Sequence, residues 1–256
     1  MEQNELNLPL VSVVMPLYNA EKFVKKAIDS VLNQTYKNFE LIIVDDCSSD
    51  GSLEIVKKLA NNNEEIKIIS NKENSGVSKT RNKGILEANG EYIALLDSDD
   101  IWTEEKLEKQ VALLLNNEAQ IVYCSYGFIN ENDQPIKKPF IVPEKTNFHK
   151  MLTKSVISCS TALIKTDLLK NNLFDEKYYH EDYVLWMTLL SDGAKAIGSK
   201  EVLAHYRQVS NSRSSDKKNS ALHRWKIYRE VLNLSLIKST MCFIGYIFFG
   251  MVKYYL

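Results

Sequence analysis

Apolar and polar residues alternate in two rhythms along the first hundred positions. Residues 10–15 form a short apolar run stopped by Pro16, and residues 40–44, 66–70 and 92–96 repeat the pattern. Such runs predict strands buried on both faces, as in a parallel sheet. Between the first two, Phe23, Val24, Ala27, Ile28, Val31 and Leu32 recur at helical spacing and predict a helix over 21–32. Asp50 offers a cap for a second helix ending near Ala60, and a third is predicted over 77–88. Four strand–helix alternations predict an α/β fold, a Rossmann-like, mostly parallel sheet flanked by helices.

The second half is less regular. Helices are predicted over 103–116, opened by Thr103-Glu104-Glu105, and over 182–191. Strands are predicted at 120–124, 160–164 and 202–206, with a polar, proline-containing loop at 130–143. A polar, serine-rich stretch at 207–218 precedes C-terminal helices from about Asn219 to the end. With no internal repeat and no Gly- or Pro-rich linker, one body with a helical tail is expected.

Composition changes this picture only at the C-terminal end. The chain has 256 residues, 45% hydrophobic and 25% charged, an ordinary globular balance. Its net charge of −1 gives no reason to expect nucleic acid as a partner. Residues 201–256, however, carry nine Lys/Arg against three Asp/Glu, which points to an anionic surface or substrate there. Cys47, Cys124, Cys159 and Cys242 show no metal-ligand spacing and fit a reducing compartment. Residues 1–8 are polar and acidic, unlike a signal peptide, and the apolar run 241–252 is too short to span a bilayer. The expectation is a cytoplasmic protein, attached at most peripherally to the inner face of the cell membrane through its C-terminal helix.

Chemistry gathers where the apolar runs end. In parallel sheets ligands bind beyond the carboxyl ends of the strands. Those ends carry Pro16, Tyr18 and Asn19; Asp45 and Asp46; Asn71 with Gly76 and Arg81 nearby; and Asp97, Asp99 and Asp100. Three carboxylates within four positions repel one another and require a cation. One of them, Asp100, is explained by a helix cap; Asp97 and Asp99 together favour a divalent-metal site of hard oxygen ligands, Mg²⁺ or Mn²⁺. Asp45 suits the imide N–H of uracil, and Tyr18 either stacks on that base or packs in the core. Arg81 either pairs with the acidic cluster or is a solvated surface arginine. Glu181 and Asp182, at a helix start, are accounted for by the helix dipole alone.

Five motifs in order carry a family resemblance: Val-Val-Met-Pro-Leu-Tyr-Asn (13–19), Val-Asp-Asp-Cys-Ser-Ser-Asp-Gly-Ser (44–52), Asn-Ser-Gly-Val-Ser-Lys-Thr-Arg-Asn (74–82), Leu-Asp-Ser-Asp-Asp (96–100) and His-Glu-Asp-Tyr-Val-Leu-Trp (180–186). Together they resemble the family-2 glycosyltransferases of GT-A fold. The tail, with Ser-Asn-Ser-Arg-Ser-Ser (210–215) and Trp225-Lys226-Ile227-Tyr228-Arg229, is similar to the bacterial teichuronic-acid and capsular polysaccharide group. The resemblance implies a nucleotide-binding half over about 1–102, an acceptor-binding half over about 103–218, and a helical tail over 219–256. It implies that Pro16, Tyr18, Asn19, Asp45, Gly76, Arg81 and Asp97 line the nucleotide pocket and that Asp99 is the metal ligand. Asp182 is the implied catalytic base. Glu181, Trp186, Arg207 and Arg213 are implied contacts to diphosphate or acceptor, with Trp186 either core or acceptor wall.

One position departs from the pattern. Where relatives carry a histidine two residues beyond the Tyr-Arg pair, Tyr206-Arg207-Gln208 is followed by Val209, which holds neither metal nor phosphate. The expected activity is an inverting, metal-dependent transfer from a UDP-sugar to a glycan or lipid-linked acceptor. A nucleotidyltransferase would want a Gly-rich loop after the first strand, where Pro16-Leu17-Tyr18-Asn19 stands. The remaining rival, a non-catalytic nucleotide-binding or signalling domain of doubly wound type, would not need the second acidic cluster at Asp97 and Asp99.

Overall fold

Strand and helix alternate through the first hundred residues: β1 (Val11–Leu17), α1 (Val24–Leu32), β2 (Phe39–Asp45), α2 (Ser52–Ala60), β3 (Ile66–Ser70), α3 (Val77–Leu86) and β4 (Tyr92–Leu95). Then come β5 (Ile101–Trp102), α4 (Lys106–Asn117), β6 (Ile121–Ile129), β7 (Pro135–Phe140), β8 (Lys145–Thr146) and α5 (Phe148–Thr153). The remainder is β9 (Leu163–Lys165), α6 (Thr166–Lys170), α7 (Glu181–Ser191), β10 (Ala196–Arg207), α8 (Lys217–Lys226) and α9 (Leu236–Tyr255). The computed structural model describes residues 8–209 and 217–255.

Among these residues ten strands make one sheet in the order β3-β2-β1-β4-β9-β6-β10-β5, with β7 beside β6 and β8 beside β10. The pairings β1–β2, β1–β4, β2–β3 and β6–β10 are parallel; those through β5, β7, β8 and β9 are antiparallel. Strand residues alternate between two cores, as a two-sided sheet requires. Val13, Met15, Leu41 and Ile43 meet Val24, Ile28 and Val31 of α1 and Leu107 and Val111 of α4. Val14, Ile42 and Val44 face the other way, into a core with Ile85 of α3, Met151 of α5 and Trp186 of α7. Each fully buried aliphatic side chain contributes about 1.5–3 kcal/mol, so both cores fix the register and thereby the strand ends.

Several sequence expectations are corrected. β1 runs past Pro16 to Leu17, because its pairing with β4 has ended at Val14 and a missing N–H breaks no ladder bond on that side. Helix α4 starts at Lys106, not Thr103. The segment before it is held as strand β5, and the Thr103 N–H donates to the Leu203 carbonyl. The supposed loop 130–143 contains β7, an exposed edge strand whose polar residues hid it and whose Pro135 stands at its first position. Residues 159–161 form a 3₁₀ turn, not the start of a strand. β10 begins at Ala196; a register shift between Ser199 and Val202 hides its first half behind Lys200 and Glu201. The tail is helical as expected: α8 runs on into a π-helical turn at Ile227–Val231, the chain breaks at Asn233, which has φ 47°, and α9 follows.

The buried face of α4 carries one charge, Lys106, wholly inside. Its Nζ donates to Gln110 Oε1 at 2.6 Å and lies 3.8 Å from the Trp102 ring centroid. Burial lowers its pKa to about 8. An unfolded lysine titrates near ~10.4, so between these values the unfolded chain holds a proton that the folded chain has lost. Stability therefore rises with pH across this window, and the cost of Lys106 is fully present below it. Relative to Lys106→Met, the wild type should gain about 2–3 kcal/mol between pH 7.5 and 10.5, read from denaturant unfolding at each pH.

Candidate active site

The carboxyl ends of β1, β2 and β4 open into one cavity of about 980 Å³, and the start of α7 closes its far side. Pro16, Tyr18, Asn19, Gly76, Arg81, Asp97, Asp99, Glu181 and Asp182 all line it. Asp45, Trp186 and Arg207 do not, and Arg213 lies outside the described residues.

The two loops at the cavity's lip clasp each other. Asn19, at φ 47°, donates its backbone N–H to Ser48 Oγ, and its side-chain oxygen accepts from the Ser49 N–H. This leaves Tyr18 52% exposed, a ring face open to the cavity and not a core residue.

Of the acidic pair after β2, Asp46 faces the cavity. The Asp45 carboxylate is buried and turns back to accept the Ser48 N–H at 3.3 Å. Asp46 instead organises the approach to α3. Its Oδ1 accepts from Asn71 Nδ2 (2.7 Å), the Ser75 N–H (2.8 Å) and Ser75 Oγ (2.9 Å), and its Oδ2 accepts from the Gly76 N–H (2.8 Å). These bonds outweigh burial and lower its pKa. Gly76 takes φ 83°, a conformation that a residue with a Cβ adopts only under strain.

The three aspartates after β4 have separate surroundings. Asp97 pairs with Arg81 at 2.5 Å. Asp100 is buried and accepts the backbone N–H of Arg207 at 2.9 Å, so it is not the cap of α4. Asp99 makes no ion pair among the described residues; burial first, then the charge of Asp97, pushes its pKa up to about 6. A carboxylate so placed is stabilised by a cation, and a Mg²⁺ or Mn²⁺ site of this kind takes one or two carboxylates, with water and phosphate completing the shell. The residues present fit that group.

Arg81 is the link between the halves. It is buried, donates to Asp97 on the strand side, and reaches Glu181 Oε1 of α7 at 3.1 Å. Both Arg81 and Glu181 are thereby engaged within the protein. Asp182, one residue further along, has its Oδ1 accepting the Tyr183 N–H at 2.7 Å and still lines the cavity.

Trp186 takes the core side of its two readings, and the implied contact of Arg207 is corrected. Trp186 is fully buried in the core below α7 and touches no part of the cavity wall. Arg207 is buried beneath Asp99: its Nε donates to the Asp99 carbonyl (2.7 Å), its Nη1 to the Asn130 carbonyl (2.7 Å), and its Nη2 pairs with Asp133 (2.6 Å). Its guanidinium clamps the acidic loop from behind and is spent on that work. Val209 lines the cavity at the departure from the histidine pattern and brings an apolar surface. Sequence reasoning missed Lys154 and Arg224 on the far wall, which share no spacing with one another, and gave His180 no role although it opens the motif at 180–186.

The chain belongs to glycosyl transferase family 2, whose sequence model matches residues 12–173. It is a glycosyltransferase, and its sheet with flanking helices is the GT-A fold. A Bacillus subtilis protein provisionally named as the teichuronic acid biosynthesis glycosyltransferase TuaG is 37% identical over 238 residues, 93% of this chain and 94% of its own length. The Escherichia coli UDP-Glc:alpha-D-GlcNAc-diphosphoundecaprenol beta-1,3-glucosyltransferase WfgD is 36% identical over 247 residues, 96% of this chain and 95% of its own. Residues 1–349 of S. aureus TarS, solved in complex with UDP-GlcNAc, share the fold with a TM-score of 0.74 at 23% identity, over 94% of this chain and 72% of that one. The mannosyltransferase PcManGT of Pyrobaculum calidifontis, solved with GDP-Man and Mn²⁺, gives 0.72 at 17% identity, over 97% and 72%.

Proposed function

We propose that the cavity transfers a sugar, with inversion, from a UDP-sugar to a lipid-linked acceptor in cell-surface polysaccharide synthesis. One observation carries this reading: a single cavity joins an exposed aromatic ring, Asp46, Asp97 and Asp99 on its strand side to Asp182 on its helix side. Tyr18 stacks on the uracil. Asp46, in place of Asp45, accepts the imide N–H through Oδ2, which takes one bond from the protein and has a lone pair remaining. Asp97, fixed by Arg81, turns toward the donor ribose or sugar. A Mg²⁺ or Mn²⁺ ion held by Asp99, beside Asp97, would supply positive charge to the departing diphosphate.

The displacement needs no enzyme nucleophile. The acceptor oxygen attacks the anomeric carbon opposite the diphosphate, the bond from that carbon to the diphosphate oxygen breaks, and UDP leaves with the electron pair. Asp182 takes the acceptor's proton. Its hydrogen bond to the Tyr183 N–H fixes the carboxylate, and the bond from Arg81 to Glu181 fixes the start of its helix.

The relatives' names support a lipid-linked acceptor, and the tail supports delivery of one. Helix α9 presents Ile237, Met241, Ile244 and Phe248 to solvent, while Ser239 and Cys242 pack inward. The sequence over 236–255 contains Lys238 and Lys253 and no carboxylate. Among the described residues no helix is long and apolar enough to cross a membrane. With one face committed to the protein, α9 suits the headgroup region of a bilayer. Incubating the enzyme with a panel of UDP-sugars and a GlcNAc-diphosphoryl-lipid acceptor tests the reading. Transfer with inverted anomeric configuration is expected from at least one donor; retention of configuration would overturn the mechanism.

A further inference from the structure

Behind Asp182 the cavity continues to a wall that no donor role occupies. There α5, α7, α8 and α9 meet, and Lys154, His180, Ser220, Arg224 and Tyr246 line the space. Arg224 is 4% exposed, its guanidinium carbon lies 3.2 Å from the Tyr183 ring centroid and 4.7 Å from that of Tyr246, and its Nε has no hydrogen-bond partner among the described residues. Its charge is met by ring faces and by no ion pair among the described residues. Lys154, half-buried, has its Nζ 5.4 Å from the Phe249 ring centroid. A buried arginine with an unsatisfied N–H is costly unless something anionic completes it. The other two buried arginines, Arg81 and Arg207, also leave one nitrogen each without a hydrogen bond, but Arg81 is ion-paired with Asp97 and Glu181 and Arg207 with Asp133; Arg224 alone of the three has no carboxylate partner among the described residues.

We propose that Lys154 and Arg224 form a subsite for the phosphate of the acceptor, an alkyl or prenyl diphosphate ester, separate from the site of the donor diphosphate. The proposal rests on the lipid-linked acceptor reading above and deepens it. An arginine fork matches phosphate oxygens, and Lys154 adds a point charge from the opposite element. The position also makes chemical sense. The phosphate would sit on the far side of Asp182 from Asp99, leaving the acceptor sugar between the base and the donor. The same wall includes Ile247, Phe249 and Met251 of α9, an apolar exit for the lipid beside the helix's exposed stripe.

Calorimetry on full-length protein saturated with UDP and Mn²⁺ tests this, because the donor diphosphate site is then filled. The probes are farnesyl diphosphate below its micelle concentration, farnesol, and inorganic diphosphate. Farnesyl diphosphate should bind, and bind more tightly than either control. Arg224→Gln should weaken it at least tenfold, and Lys154→Gln three- to tenfold, with farnesol affinity and UDP affinity unchanged; Arg224→Lys should recover part of the loss. Lys154→Gln and Arg224→Lys keep the test decisive if Arg224→Gln does not fold. Absence of farnesyl diphosphate binding to the UDP-loaded wild type would overturn the subsite, as would variants that leave affinity unchanged or weaken farnesol equally. Tighter binding of inorganic diphosphate than of its prenyl ester would assign the subsite to free phosphate and equally overturn it. A wild type that fails to bind UDP fails the donor reading instead, which is a separate result.

Discussion

Asp182→Asn should reduce transfer by at least ~100-fold while UDP affinity stays within twofold of wild type. The asparagine keeps the size of the side chain but cannot take the proton of an attacking hydroxyl, and loss of a positioned general base costs ~10²–10⁴. UDP binding is expected to survive because Tyr18, Asp46 and Asp99 sit on the strand side of the cavity, on elements held by the β1–β2–β4 ladder. The amide also retains an oxygen for the Tyr183 N–H, now taken by Oδ1 of Asp182, so the helix start should not move. Steady-state transfer and calorimetric UDP titration on the same preparation separate the two effects. A variant with ordinary turnover would remove Asp182 from the role of base, and Glu181, bound to Arg81, could not replace it without breaking that pair.

The second large effect is expected at Asp99. Asp99→Asn should abolish the dependence of UDP affinity on Mn²⁺ and lower kcat/KM at least a hundredfold, since the leaving diphosphate would lose its counter-charge. Stability should move the other way or not at all. Asp97, Asp99 and Asp100 crowd one loop, and removing the charge of Asp99 ends both the cost of burying it and the repulsion from Asp97, which together push its pKa up to about 6. The loop itself is anchored through main-chain atoms: the Asp99 carbonyl accepts from Arg207 Nε, and Asp97 N–H donates to Ser160 Oγ. A thermal midpoint no lower than wild type, with the metal response gone, is the expected pair of results. An Asp99→Asn protein that still binds UDP more tightly with Mn²⁺ would assign the metal to other residues.

The strand ends were legible in the sequence because an apolar run that stops at a carboxylate marks both the buried strand and the place where it leaves the core. Tyr92–Leu95 followed by Asp97 and Asp99 shows this directly. The choice between Asp45 and Asp46 was not legible. It depends on how the chain turns after β2, where Asp45 is still paired in the ladder with Leu17 and Ser70 and the next residue is the one that meets the cavity. Arg207 is a diphosphate contact only by what the family resemblance implies. Its burial under Asp99 depends on Asp133 and Asn130, more than seventy positions away. Trp186 stands on a helix buried on nearly every side, so α7 has no polar face by which its cavity side could be told from its core side. The Lys154–Arg224 wall belongs to elements joined only in the folded chain, and Asp182 stands out in sequence by family resemblance and not by spacing.

The proposed function requires the cavity to hold a uridine diphosphate through a metal at Asp99. Titration of the wild-type protein with UDP, with Mn²⁺ and after its removal by a chelator, measures that directly. The expected result is saturable one-site binding that weakens at least tenfold without the metal and returns when Mn²⁺ is restored. UDP binding that is absent under both conditions, or identical in both, would contradict it.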